Sequence, residues 1–483
     1  MRGIVRQFLC CILLSTLTFM IAFANAWPSY TITILKGPHS PIGYSITDQD
    51  VNLIGSFPLL GSLIGTLFGA FISESLGRKK TEILCGLMYG LSWSLIATAK
   101  SVTLLLVARL ILGFGGGVHL VTVLVYINEI SKPSVCGVMI NLLFFIFSLG
   151  TLTSYICGWF CSYYAICYGS LSHAIAFVVL MCLLKDSPGY LIGKGREKEA
   201  LESLKFYRGV SVTTQGVLDE LAYIISQREI NDAGKPVLEK SPILEEIEKL
   251  KLDEKQEKVE ESSWKILCTS KASQRALITA TIIIILNTLT GMSGIQAYAG
   301  QLFMIASPEL SPDFCSVVLA VVLTVSGGLS AVVTDMFGRR TLLLFSTITS
   351  TLSLILLGLV VNWQWVPRWV VPCMVLLYCA GFQLGACNIP MVQLGESLKP
   401  QVKSLGTSIN TCCMFASSFI SLLIFLPSVE HLGFNKTFFI FAVISAISTI
   451  FIYFVMKETK GVKFDAVQEM FEKGYLYRGP IKS

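Results

Sequence analysis

Apolar runs long enough to cross a membrane recur along the chain, and a long polar segment divides them into two groups. A helix needs about 20 apolar residues to span the hydrocarbon core. We therefore predict about twelve spans, six on each side of residues 185–273. The predicted spans are 8–26, 51–74, 81–99, 102–129, 135–160, 163–184, 274–306, 314–335, 341–361, 369–396, 403–426 and 434–456.

This pattern predicts an all-α membrane protein with four regions. They are an N-terminal six-helix half at 1–184, a cytosolic helical linker at 185–273, a C-terminal six-helix half at 274–456 and a cytosolic tail at 457–483. Within the linker, helical patterns lie near 195–207, 214–231 and 241–260.

The seventh span differs from the others because glycine and uncharged polar residues interrupt it. From Leu286 to Phe303 it reads LNTLTGMSGIQAYAGQLF, with Gly291 and Gly294 near its centre. Such a broken helix is typical of a transporter that binds a neutral polar solute, since freed backbone groups must face water or protein rather than lipid. The alternative interpretation is a kinked helix whose polar groups only bond neighbouring helices.

Composition and charge placement agree with a membrane protein and give its orientation. The chain is 53% hydrophobic and 14% charged, whereas a soluble domain carries roughly 25% charged residues. The net charge is +6, and most basic residues fall on one side of the predicted spans. The positive-inside rule places both termini and the linker in the cytosol, so no nucleic-acid partner is needed to explain these residues.

The N-terminus allows two interpretations. Arg2 and Arg6, an apolar run and then Ala24-Asn25-Ala26 resemble a cleaved signal peptide. The run from Phe8 to Ala26 is longer than the apolar region of a typical signal peptide, and its loss would invert the charge pattern. We favour an uncleaved first helix.

No enzyme, metal or cofactor site is predicted. Most of the 15 cysteines lie in predicted helices and suit apolar packing. Cys157, Cys161 and Cys167 lie near one outer connection, where either a disulfide or free thiols fit the sequence. The glycines of Gly113–Gly117 lie within a predicted membrane helix, which favours helix packing over a dinucleotide loop.

The same turn ends the second span of each half. Glu74–Lys80 and Asp335–Arg340 both read acid-x-x-Gly-Arg-basic, and the glycine suits a tight turn. The same turn at the same position in each half indicates an internal repeat of six helices.

With further motifs, these turns resemble the sugar porter family of the major facilitator superfamily over nearly the whole chain. The opening, with Trp27-Pro28-Ser29, is most similar to insect facilitated trehalose transporters. The resemblance implies two six-helix halves that rock about a site at the membrane midplane. The further motifs are Arg109-x-x-x-Gly113-x-Gly115-x-Gly117, Tyr126–Ser131, Asp186-Ser187-Pro188, Gly395-Glu396 and Glu458–Gly461.

The resemblance also implies a sugar site. Its hydrogen-bonding candidates are Asn287, Thr288, Ser293, Gln296, Gln383 and Asn388. Apolar or gating candidates are Tyr298, Phe415, Met391 and Phe144. Several of these residues shorten or replace glutamine, asparagine or tryptophan of the family pattern, and a lost partner to a buried hydroxyl costs about 1–3 kcal/mol. We therefore expect an unusual substrate, or none. For Gln383 and Asn388, helix-to-helix bonding remains an equal alternative, and for Phe144, Met391 and Phe415 simple packing is favoured.

A conformational network is implied at the cytosolic face, where acid–arginine pairs hold the halves together in the outward-facing state. Family arginines fall at Ser75, Cys136, Met336 and Lys403, so we expect that state to be less favoured here. The implied network is Glu74, Arg78, Arg109, Glu129, Asp335, Arg339, Arg340, Glu396 and Lys403.

The first span carries no acidic residue, whereas proton-coupled members of the family usually have one there. We therefore expect facilitated uniport of a sugar such as trehalose or glucose, or of a related polyol. The alternatives are a diverged, non-transporting sensor or scaffold and, third, a proton symporter. The expected partners are a small neutral polar solute and the lipid bilayer, with the protein a monomer and, from the resemblance, in the plasma membrane.

Overall fold

In a computed structural model, the N-terminal half consists of helices joined by short turns. The structure describes residues 2–210, 212, 214–232, 263–306, 309–361, 367, 369–462 and 464–475. The helices of this half are α1 (Arg2–Ala26), α2 (Pro28–Lys36), α3 (Asp48–Leu76), α4 (Arg78–Thr98), α5 (Val102–Ile130), α6 (Pro133–Phe160) and α7 (Tyr163–Met181).

The linker begins with short helices that pack under the N-terminal half. They are α8 (Pro188–Gly193), α9 (Glu197–Arg208) and α10 (Gln215–Asp232), and α11 (Ser263–Thr269) precedes the second half. Arg208 joins these helices to the membrane part, because its guanidinium donates to the Ile130 carbonyl at 2.7 Å and pairs with Glu220 at 2.5 Å. The predicted linker helix at 241–260 lies outside the described residues.

The C-terminal half contains the broken helices and ends in a short helix after the last span. Its elements are α12 (Lys271–Thr288), α13 (Met292–Ala297), α14 (Ala299–Ala306), α15 (Pro312–Phe337), α16 (Arg339–Val360), α17 (Val370–Gly381), a π-helical turn (Phe382–Ala386), α18 (Ile389–Ser397), α19 (Pro400–Val455) and α20 (Phe464–Glu472). Helix α19 is two spans joined at Gly433, whose φ of 81° is not helical.

These elements supply the twelve spans that the sequence predicts. Among the described residues, 9 helices are long and apolar enough to cross a membrane, and α19 counts among them once. The remaining spans are α4, whose first turns hold several charged residues, and the broken series α12–α14. The structure therefore confirms the all-α membrane fold.

Glycine brings α3 and α5 into close contact. A Cβ on Gly113 would lie 2.0 Å from the Pro58 carbonyl oxygen, and a Cβ on Gly117 would lie 2.2 Å from that of Ser62. Only glycine permits this approach of two helix backbones. The glycine-rich stretch therefore packs helices, as its position within a predicted span indicates.

Candidate functional site

The seventh span is broken twice. Helix α12 ends at Thr288, Gly291 has a φ of 90°, and a second break at Tyr298 separates α13 from α14. A Cβ on Gly291 would lie 2.5 Å from the Phe441 ring, and a Cβ on Gly294 would lie 2.5 Å from the Phe425 ring. The first glycine is thus required by its left-handed backbone conformation, and both are required by aromatic packing.

Polar groups next to the first break bond to protein. The Asn287 side chain is 2% exposed; its amide donates to the Ala386 carbonyl at 3.2 Å and its oxygen accepts from Ser448 at 2.8 Å. The Thr288 hydroxyl donates to the Ile284 carbonyl. Asn287 therefore bonds neighbouring helices, as in the alternative interpretation, whereas Thr288 bonds the backbone of its own helix.

Four other predicted ligands share a different environment. Their side chains are half-buried, and none makes a hydrogen bond within the described part of the chain; they are Ser293, Gln296, Gln383 and Asn388. An unbonded amide or hydroxyl inside a membrane protein has to face water or a solute. These groups are uncharged donors and acceptors, which is the chemistry that a sugar hydroxyl needs.

The π-helical turn shapes the part of the site contributed by Gln383 and Asn388. Gln383 lies within this turn, and Asn388 immediately precedes α18. The Gln383 amide nitrogen would lie 3.1 Å from a Cβ on Gly327, so this glycine of α15 leaves room for it. Single π-turns inside helices are frequent at functional sites.

The apolar candidates are spread around this site. Phe144 on α6 is 44% exposed and lies one turn before Ser148, whose hydroxyl donates to the Phe144 carbonyl at 3.3 Å. Met391 and Phe415 are half-buried, and the Met391 sulfur accepts from the Asn410 amide at 3.1 Å. Met391 thus packs against a polar partner, in keeping with the packing interpretation.

Tyr298 closes the outer side. It is 1% exposed, and its ring stacks on Phe425 with centroids 5.9 Å apart. Its hydroxyl lies so close to α3 that a Cβ on Gly55 would be 2.4 Å from it. Tyr298 therefore joins the two halves rather than lining an open site.

Hydrogen bonds also join the halves near their outer ends. The Tyr155 hydroxyl donates to the Gln296 carbonyl at 2.7 Å, and the Asn52 amide donates to the Leu423 carbonyl at 2.7 Å. The Gly300 amide donates to the Ser29 hydroxyl at 2.8 Å. These contacts close the path between the halves on this side of the half-buried polar set.

Two ion pairs lie at the ends of the spans beside the two glycine turns, one within each half. The Arg78 guanidinium binds both carboxylate oxygens of Glu129, at 2.9 and 3.1 Å, and Ser187 also donates to this carboxylate. In the other half Arg339 binds Glu396 at 2.9 Å, and Thr459 donates to Glu396 at 2.5 Å.

A second acid completes the repeat after each glycine turn. Gly77 and Gly338 have φ of 92° and 90°. The Lys79 amide after the first turn donates to Asp186 at 3.2 Å, and the Arg339 amide after the second donates to Glu458 at 3.0 Å. The motifs Asp186-Ser187-Pro188 and Glu458–Gly461 thus have equivalent roles, since the acid of each accepts a hydrogen bond from the backbone after a glycine turn. The sequence did not reveal this equivalence.

The other residues of the implied network are placed differently. Glu74 is exposed, Arg340 donates to the Tyr453 carbonyl at 2.8 Å, and the side chain of Asp335 lies outside the described part. Lys403 is exposed beside Gly395, in a cleft of about 500 Å³. Arg109 lies in the outer part of α5, away from the cytosolic pairs, and bonds backbone carbonyls.

A buried acid–histidine pair lies inside the N-terminal half. Glu82 on α4 and His119 on α5 are both 0% exposed, with Glu82 Oε2 and His119 Nδ1 2.6 Å apart. His119 Nε2 lies 2.8 Å from the Thr18 hydroxyl on α1. Sequence reasoning missed this pair because the two residues are 37 positions apart. The only available signal was that each is a titratable residue within an apolar span.

Sequence reasoning also missed two amides. Asn141 is exposed in α6, one turn before Phe144, and Asn410 is buried in α19 beside Met391. Each is an amide in an otherwise apolar stretch, which was the signal that could have identified it.

Comparison with known proteins identifies the family. A family model described as "Sugar (and other) transporter" matches residues 10–471. The chain belongs to this transporter family. It is 25% identical to a facilitated trehalose transporter of Bombyx mori, with 94% of this chain and 87% of the relative covered. A facilitated trehalose transporter of Aedes aegypti is also 25% identical, and 96% of this chain matches 54% of it.

The fold of this family member agrees with that of a solved sugar transporter. The xylose transporter XylE from E. coli, in its inward-open conformation, superposes with a TM-score of 0.75 at 14% identity, covering 96% of this chain and 99% of the other. This similarity confirms the major facilitator fold.

Proposed function

We propose that this protein is a uniporter that moves a neutral sugar, such as trehalose or glucose, or a related polyol, down its gradient by alternating access. The observation that carries the proposal is the set of half-buried, unbonded and uncharged side chains of Ser293, Gln296, Gln383 and Asn388 beneath a closed outer side. The similarity to transporters named for trehalose supports the choice of substrate class.

The absence of coupling to protons is part of this proposal. No acidic residue occurs before Asp48, so α1 has none. An interior acid would be the ordinary means of coupling transport to a proton gradient. The buried Glu82 bonds to His119 within one half and lies apart from the polar set, so we assign it a structural role.

Orientation and location follow from charge. Basic residues follow the turns at Gly77 and Gly338 and fill the linker, which supports cytosolic termini by the positive-inside rule. We place the protein in the plasma membrane as a monomer, in keeping with the family resemblance.

Uptake in oocytes tests the proposal. Labelled trehalose, glucose and polyols are supplied with and without an inward pH gradient. We expect saturable uptake of at least one of them that does not depend on the pH gradient. Uptake that requires the gradient would indicate the proton symporter, and no uptake of any of these solutes would favour the sensor or scaffold.

A further inference from the structure

The outer part of the N-terminal half contains a buried arginine with no acidic partner. Arg109 is 1% exposed. Its guanidinium donates to the Ala24 carbonyl at 2.7 Å and to the Ile54 carbonyl at 3.1 Å. In the part of the chain that the structure describes, its polar partners are these two carbonyls, and no carboxylate pairs with it. A buried charge without a counter-ion is costly in a membrane.

Aromatic residues with unsatisfied donors lie near this guanidinium. The Trp27 ring lies 5.3 Å from the Arg109 carbon Cζ and 6.1 Å from the Trp93 ring. The Tyr298 hydroxyl lies against Gly55, next to the Ile54 carbonyl that Arg109 binds, and the Tyr89 hydroxyl would lie 3.3 Å from a Cβ on Gly116 of α5. The indole nitrogens of both tryptophans and the hydroxyls of both tyrosines are buried and have no hydrogen-bond partner among the described residues.

The hydrogen-bonding capacity and charge of these groups indicate what kind of ligand they would bind. Guanidinium and indole N–H groups only donate, and a tyrosine hydroxyl can donate as well. Water could accept some of these hydrogen bonds, but it could not balance the charge. A small monovalent anion would accept several donors at once and neutralise Arg109.

We propose that Arg109, with Trp27, Trp93, Tyr89 and Tyr298, forms a binding site for a halide such as chloride. Four of these residues belong to the N-terminal half, whereas Tyr298 comes from the broken span of the C-terminal half. The site is complete only when Tyr298 closes the outer side. Bound halide therefore favours the outward-closed state.

Halide binding to the purified full-length protein tests this proposal, and the assay requires no sugar. The melting temperature is measured as chloride or bromide replaces gluconate at constant ionic strength. We expect it to rise and saturate in the wild type, and to be independent of halide in Arg109→Gln. Iodide quenching of tryptophan fluorescence gives a second readout, with a saturable component that Trp93→Phe removes.

Milder variants keep the test decisive if Arg109→Gln does not fold. Tyr298→Phe keeps the ring stack and removes one donor, so the half-saturating halide concentration should rise about tenfold. Trp159→Phe is the matched control, because this half-exposed tryptophan lies on α6 outside the cluster, and its halide response should equal that of the wild type. Equal, unsaturable responses in the wild type, Tyr298→Phe and Trp93→Phe would overturn the proposal and assign water to these donors.

Discussion

Individual residues separate into those that hold helices together and those that face the site. Asn287 and Gln383 are both amides near the middle of the second half. The first is buried with both ends of its amide bonded, whereas the second is half-buried with none. This distinction depends on side-chain contacts, so the sequence could list both residues but could not separate them.

Removal of a free amide should weaken solute binding without loss of folded protein. We expect Gln383→Ala to lower the apparent affinity for the transported solute about 5- to 150-fold, since a lost hydrogen bond to a hydroxyl costs about 1–3 kcal/mol. Concentration-dependent uptake measures the change. Thr288→Val is the matched control: its hydroxyl bonds only a backbone carbonyl of its own helix, so affinity should be unchanged. A larger effect of Thr288→Val than of Gln383→Ala would contradict the placement of the site.

The Glu82–His119 pair should act on stability. Breaking a buried pair leaves an unpaired polar group and costs about 3–5 kcal/mol, whereas replacing both partners by apolar residues is often neutral. We expect Glu82→Ala and His119→Ala each to lower the melting temperature in detergent. The double variant Glu82→Leu/His119→Leu should recover most of that loss.

Glu199→Ala is the matched control for this pair. Glu199 pairs with Arg196 at an exposed site in the linker, where such pairs are worth about 0–1 kcal/mol. Equal melting temperatures for Glu199→Ala and Glu82→Ala would contradict the structural role that we assign to the buried pair.

Among the elements, the positions of the spans were predictable and the details of the breaks were not. Apolar runs and the two glycine turns indicated the helices within a few residues, because a helix in lipid requires a long, nearly continuous apolar run. The π-helical turn at Phe382–Ala386 left no such signal. It depends on backbone bonding within the folded helix, and it helps to position Gln383.

The break at Gly291 should tolerate no side chain. Gly291→Ala would place a Cβ against Phe441 in a left-handed conformation that costs about 1–2 kcal/mol on its own. We expect a lower melting temperature and less folded protein by size-exclusion chromatography. The control is Gly169→Ala in α7, where a Cβ would meet nothing within 4 Å. Equal behaviour of the two variants would show that the break is not fixed at Gly291.

At the scale of the whole molecule, contacts between the two halves account for a conformation in which the outer path is closed. They include Tyr298 on Phe425 and the Asn52, Tyr155 and Gly300 hydrogen bonds. The sequence predicted two repeated halves, but not which path is closed. That property depends on pairs of residues far apart in the chain.

Arginines placed where the family has them should favour the opposite state. We expect Ser75→Arg, Cys136→Arg and Met336→Arg together to increase several-fold the labelling of Ser29→Cys by an impermeant maleimide. Ser29 is buried by the outer closure, where it accepts a hydrogen bond from Gly300. Glutamine at the same three positions is the neutral control. Equal labelling in the arginine and glutamine sets would contradict the expectation that the missing arginines make the outward-facing state less favoured.

The central claim is passive movement of a neutral solute through the site at Ser293, Gln296, Gln383 and Asn388. Its most direct measurement is the final level of labelled trehalose or glucose in liposomes that contain the purified protein, with and without an imposed pH gradient. The account predicts that solute enters until the inner and outer concentrations are equal, at any pH gradient, and that Gln383→Ala slows entry at low concentration. Accumulation above the outer concentration under an acid gradient would contradict passive movement, and no entry of either sugar or of a polyol would contradict transport itself.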